Sequence, residues 1–199
     1  MPSKPNTVSL DSHAAATLRY IRASMEGAAS FAVPGSAGIA LGTIGVLATA
    51  LSWLSGLREH WFEIWIIASL AAAGVGSTLL LRESSLRGLK LIGTPIRRFA
   101  LCLLPSLGAG VVITFVRWYE HDLHAIPGIW LLLYGSALIS ASSVTIRTIG
   151  VMGGMFALLG LLALLLPDSD QILMLGLGFG GLHLLFGVLI GRMGHGRET

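Results

Sequence analysis

Two histidine settings carry the chemistry this chain could perform. The first is "EHDLH", residues 120–124, where His121 and His124 stand three apart. On one helical turn both imidazoles would aim at a single ion. Glu120 and Asp122, with Glu59 and His60 from another polar segment, would complete a nitrogen–oxygen shell suited to zinc, manganese or a similar divalent metal. The motif is short and no cysteine accompanies it, so solvated acidic loops are the plainer reading. The second setting is His183, within "LGLGFGGLHLLFG" at residues 175–187. An imidazole in such an apolar run has three possible roles: haem ligand, carrier of a proton or solute, or structural hydrogen-bonding group.

The surrounding sequence favours the structural role for His183. No second histidine lies in an apolar stretch to complete bis-histidine haem ligation, and no Asp or Glu falls mid-stretch, where proton-coupled transport places one. Gly176, Gly180, His183, Gly187 and Gly191 recur at intervals of three or four and so share one helix face. Ser136, Ser140, Ser143 and Arg147 share another. Ser140 and His183 fall at matching depth, roughly 18 Å into the apolar layer at helical rise. These spacings predict that the serine face meets the glycine–histidine face, with His183 hydrogen-bonded to a serine or to Tyr134. No cofactor is expected, with a divalent metal as the alternative.

The elements that must hold these groups are apolar helices. The chain has 199 residues, 54% hydrophobic and only 12% charged, about half the charge of a soluble domain. Mean hydropathy is +0.79. Charges gather in short segments between apolar stretches long enough to cross a hydrocarbon core as helix. The fold class is therefore all-α: a polytopic membrane protein with six transmembrane helices, at about 32–53, 62–81, 99–116, 127–146, 149–166 and 172–190, arranged as three hairpins.

Charge asymmetry sets the expected direction. With the N-terminus inside, eleven Lys and Arg fall in inner segments and only Arg58 and Arg117 in outer ones, a positive-inside bias that puts both termini in the cytoplasm. Trp53, Trp61, Trp65, Trp118 and Trp130 fall at the outer boundaries, where an amphipathic ring suits the headgroup level. Outer segments carry two basic and six acidic residues, inner ones eleven basic and four acidic. The pI near 9.5 therefore implies attraction to anionic headgroups on the inner face, and no nucleic acid. Domain organisation follows: residues 1–29 form a cytoplasmic segment with an N-terminal amphipathic interfacial helix, 30–191 the six-helix domain, and 192–199 a cytoplasmic tail. Residues 84–98 read as a second interfacial helix.

Small residues fix how the helices would pack. Besides the face on the sixth span, Gly38, Gly42, Gly45 and Thr49 line up on the first, and Gly153, Ala157 and Gly160 on the fifth. Such faces let backbones approach where lipid supplies no hydrophobic drive. Pro105 should kink the third span. The lone cysteine, Cys102, lies in an apolar stretch. No HExxH, GxSxG, phosphate loop or nucleophile–base pair appears, so no enzyme activity is expected.

The stretches "TLRYIRASMEGAASFAVPG" and "GFGGLHLLFGVLIGR" resemble uncharacterised small bacterial six-helix integral membrane proteins. The resemblance implies the bacterial inner membrane and brings no activity with it. The leading expectation is a non-catalytic sensor, partner subunit or regulatory anchor, with a protein partner or a homo-oligomer possible. A small transporter or channel for a cation or neutral solute is the first alternative, and a metal- or haem-binding membrane protein the second.

Overall fold

Uninterrupted runs of Leu, Ala, Ile, Val and Gly, punctuated by short polar turns, fold as helices throughout. A computed structural model describes residues 13, 15–20, 33–54, 56–86 and 94–195. The helices are α1 (Gly35–Trp53), α2 (Trp61–Leu86), α3 (Thr94–Tyr119), α4 (Ile126–Ala141), α5 (Arg147–Ala163), α6 (Asp168–Leu175) and α7 (His183–His195). A 3₁₀ turn (Arg58–His60) leads into α2, and a π-helical segment (Gly176–Leu182) joins α6 to α7 in one continuous rod. Among the described residues, four stretches are long and apolar enough to cross a membrane: Gly35–Trp53, Arg58–Leu86, Ile96–Tyr119 and Asp170–Met193. Helices α4 and α5 are equally apolar but shorter, at 16 and 17 residues. Residues 15–20 are helical; the rest of the expected N-terminal amphipathic helix, residues 87–93 of the second interfacial segment and the tail residues 196–199 lie outside the described residues.

Glycine determines which helices touch. Helix α1 runs antiparallel along the α6–α7 rod, and a Cβ added at Gly38 would sit 2.7 Å from the Gly187 Cα. One at Gly45 would sit 2.6 Å from the Phe179 backbone, and one at Gly176 2.5 Å from the Thr49 hydroxyl. Helices α4 and α5 form a second seam. Gly135 lies against Gly153, and Gly128 against Gly160, so both strips repeat every seven residues, about two helical turns. Each seam is a backbone-to-backbone approach that any side chain would push apart.

The core lies between these seams. Leu131, Leu138, Met152, Phe156, Leu175, Leu182 and Phe186 form one buried cluster, and Ile96, Phe99 and Ala141 a smaller one. Helix α3 packs on α4 and continues through Pro105, while α2 packs on α1. In the most apolar window of α2 no residue is buried inside the protein, against 44% for the Asp170–Met193 stretch. Ile67, Leu70, Leu104, Val111, Val112 and Phe115 are mostly exposed. An apolar belt of this extent would drive aggregation in water. The chain is a multi-pass membrane protein.

Candidate functional site

Among the described residues, two places bring chemically capable side chains together, one mid-bundle and one at the end where the tryptophans gather.

At mid-bundle, His183 projects from the first turn of α7 and is 4% exposed. The Tyr134 hydroxyl of α4 lies 2.9 Å from its Nε2. Phe156 of α5 meets the imidazole edge-on at 5.3 Å between ring centres, and Phe179 of the π segment stacks on it at 6.0 Å. Tyr134, Phe156 and Phe179 also touch one another at 4.9–5.2 Å, and Trp65 of α2 joins through Phe179 at 6.1 Å. With Tyr134 donating to Nε2, the ring proton sits on Nδ1. That atom is buried beside the Gly178 and Phe179 carbonyls without a well-aligned hydrogen bond to either. The Trp65 indole N–H is also buried and unpaired. Nε2, the atom an axial iron would use, is already engaged.

The serines expected beside His183 lie elsewhere. Ser136 and Ser140 of α4, and Ser143 in the turn after it, are exposed. Ser143 donates to the Ser140 carbonyl at 2.8 Å, and the neighbouring Ser142 to the Ile139 carbonyl. Only Tyr134 of the proposed polar partners reaches the imidazole. His183 also points off the glycine face, because the seam with α1 is carried by Gly176, Gly180 and Gly187 while the imidazole turns toward α4 and α5. The sequence reading did not single out Phe156, Phe179, Gly128 or Gly135. The matching seven-residue spacings of Gly128–Gly135 and Gly153–Gly160 were the available signal.

At the tryptophan end, the segment after α3 is not a helical turn. Helix α3 stops at Tyr119, and His121 and Ala125 adopt left-handed backbone (φ 56° and 64°). Arg117 holds this loop: one guanidinium nitrogen pairs with Asp122 and another lies 3.5 Å from Glu120. Asp122 in turn accepts the His124 backbone N–H at 3.0 Å. His121 and His124 therefore do not face one ion from a shared helix face. His60 lies 4.0 Å from Glu63 in an exposed pair, and Glu59 is exposed in the same turn. Among the described residues, no three His, Cys, Asp or Glu side chains gather as a metal set.

The loop does border a cavity of about 280 Å³. Its walls are Trp61, residues 121–124, Pro127, Gln171 and Ile172, from the start of α2, the α3–α4 connection, the start of α4, and α6. Gln171 is almost fully buried, and its amide donates to the Leu166 carbonyl at 3.2 Å. Nearby, the Trp130 indole donates to Thr114 at 2.9 Å, and Thr114 to the Gly110 carbonyl at 2.7 Å, anchoring α4 to α3.

No family model, curated protein or solved structure matches this chain. What it does must be argued from its own side chains.

Proposed function

We propose that this protein is a six-span, non-catalytic component of a bacterial inner membrane, acting as a sensor, partner subunit or regulatory anchor. In this reading α4 and α5 cross the bilayer with the four longer spans. Both termini are cytoplasmic, following the excess of Lys and Arg in the segments on that side. The tryptophan end faces outward.

One observation carries the reading. The interior is filled by backbone-to-backbone glycine seams and interlocked aromatic rings, and among the described residues the buried polar ones are Ser52, Ser84, Thr114, Gln171 and His183, none of them an Asp, Glu, Lys or Arg. Such an interior suits a stiff scaffold that presents its two ends and its lipid-facing helices. A second reading, a small transporter for a cation or neutral solute, draws on the π-helical turn beside the His183–Tyr134 pair.

Two experiments test the proposal. Single cysteines introduced into a Cys102→Ser background should label from outside at Leu57 and Glu120, and only from inside at Ser143. Purified protein in liposomes should give no flux of sodium, potassium or protons above that of empty liposomes. Saturable flux abolished by His183→Leu would replace the scaffold reading with the transporter.

A further inference from the structure

The cavity at the tryptophan end combines features that select a ligand. Trp61 gives it an indole wall, and Leu123, Pro127 and Ile172 give it aliphatic ones. Asp122 supplies a carboxylate at the same wall. Arg117 ties that carboxylate down without neutralising its surroundings, because it also pairs with Glu120, leaving the trio with one net negative charge. A carboxylate offers about four lone-pair sites, and Asp122 spends one on Arg117 and one on the His124 N–H. Across the segments at this end, six acidic residues face two arginines, so the field at the mouth attracts cations.

A bare metal ion lacks a ligand set here, since no three His, Cys, Asp or Glu gather among the described residues. An anion meets the wrong field. An organic ammonium group suits this lining: positive charge toward Asp122 and the Trp61 indole, and carbon substituents against Leu123, Pro127 and Ile172, with His121, His124 and Gln171 completing the walls. The volume of about 280 Å³ accommodates a group the size of choline or ethanolamine. Trp61 in the cavity wall is of the residue type that marks the headgroup level.

We propose that this cavity binds a small organic ammonium group, supplied by a free amine or by an ethanolamine-type lipid headgroup. The assignment does not depend on whether the bundle senses a signal or assembles with a partner.

The test uses the full chain in nanodiscs of phosphatidylglycerol and a neutral glycolipid, so that no amine is present. Choline and ethanolamine are titrated by calorimetry, with 3,3-dimethylbutan-1-ol as the uncharged shape analogue of choline. Expected is saturable binding of the two amines, with the neutral analogue about tenfold weaker or more. Trp61→Leu should weaken choline by about tenfold and Trp61→Phe by less. Leu123→Phe, which adds bulk at a partly buried lining residue of the connecting loop, should block binding while the melting temperature holds, separating loss of the site from loss of the fold. Replacing the glycolipid by phosphatidylethanolamine at constant phosphatidylglycerol then identifies the source. A markedly weaker choline affinity means the headgroup occupies the cavity, and an unchanged one means a free amine does; either supports the site. No saturable binding of either amine, or equal binding of the neutral analogue, overturns it.

Discussion

Replacing Gly135 by alanine is the sharpest test of the seam between α4 and α5. The new Cβ would lie 2.6 Å from the Ala157 backbone nitrogen and 2.7 Å from the Gly153 carbonyl oxygen, where ordinary contact begins at 3.4 Å. A Cβ has no torsion to rotate it away, and both obstacles are backbone, so the helices must part by about 0.8 Å. A gap of that size forfeits roughly a quarter to a half of each dispersion contact along the seam. Overpacking of this kind costs about 1–3 kcal/mol, set against about 1 kcal/mol of helix propensity gained on leaving glycine. Gly154→Ala is the matched control, because its added Cβ meets nothing within 4 Å and keeps only the propensity gain. The two variants should differ by about 1–3 kcal/mol, or roughly 2–12 °C in melting temperature on the scale of soluble domains of this size. Thermal unfolding in one detergent, followed by circular dichroism and by retention of the monodisperse peak, measures the difference. Equal melting temperatures for the two variants would refute the claim that backbone approach at Gly135 limits the packing.

Other positions give further tests. Tyr134→Phe removes the donor to His183 Nε2 and should cost about 1–2 kcal/mol. Combined with His183→Leu it should cost less than the sum, by about 0.6 kcal/mol on the scale of membrane double-mutant cycles. Arg117→Ala frees Asp122 and Glu120 and should change global stability by no more than about 1 kcal/mol, while protease cleavage within residues 120–125 accelerates. Gly110→Leu places bulk where an added Cβ is already 3.1 Å from the Trp130 ring; loss of the Trp130–Thr114 hydrogen bond should shift the tryptophan emission to longer wavelength.

The helices were readable because an apolar run in a chain this poor in charge has few alternatives. The glycine faces of α1, α5 and the α6–α7 rod were readable too, since intervals of three and four mark one side of a helix whatever it packs on, whereas the α4 face, with glycines seven apart, was missed. The partner of each face was not readable, because α1 meets the α6–α7 rod across almost the whole length of the chain. The serines misled for a physical reason. A hydroxyl can satisfy itself on the carbonyl of its own preceding turn, as Ser142 and Ser143 do, and so can occupy an exposed face at little cost. Tyr134 has no such local acceptor within reach of its ring, and it is the residue that meets His183. The shared helical turn expected for His121 and His124 is absent because α3 ends at Tyr119, and Arg117 pairs with Glu120 and Asp122 in the loop that follows.

The π-helical segment has a consequence for insertions and deletions. Each residue of an α-helix advances the chain by about 100°, so a single-residue change normally turns every later side chain onto another face. Gly176–Leu182 is wound more widely than its neighbours, and its glycines at 176, 178, 180 and 181 leave little bulk to resist rewinding. It works as a phase adjuster between two fixed faces. Upstream, Gly176 is fixed against Thr49; downstream, Gly187 is fixed against Gly38. Deleting one residue within Gly176–Leu182 can be absorbed by tightening the wide turns to α geometry. The same deletion placed after Leu184 would swing Gly187 away from α1 and separate the first and last spans.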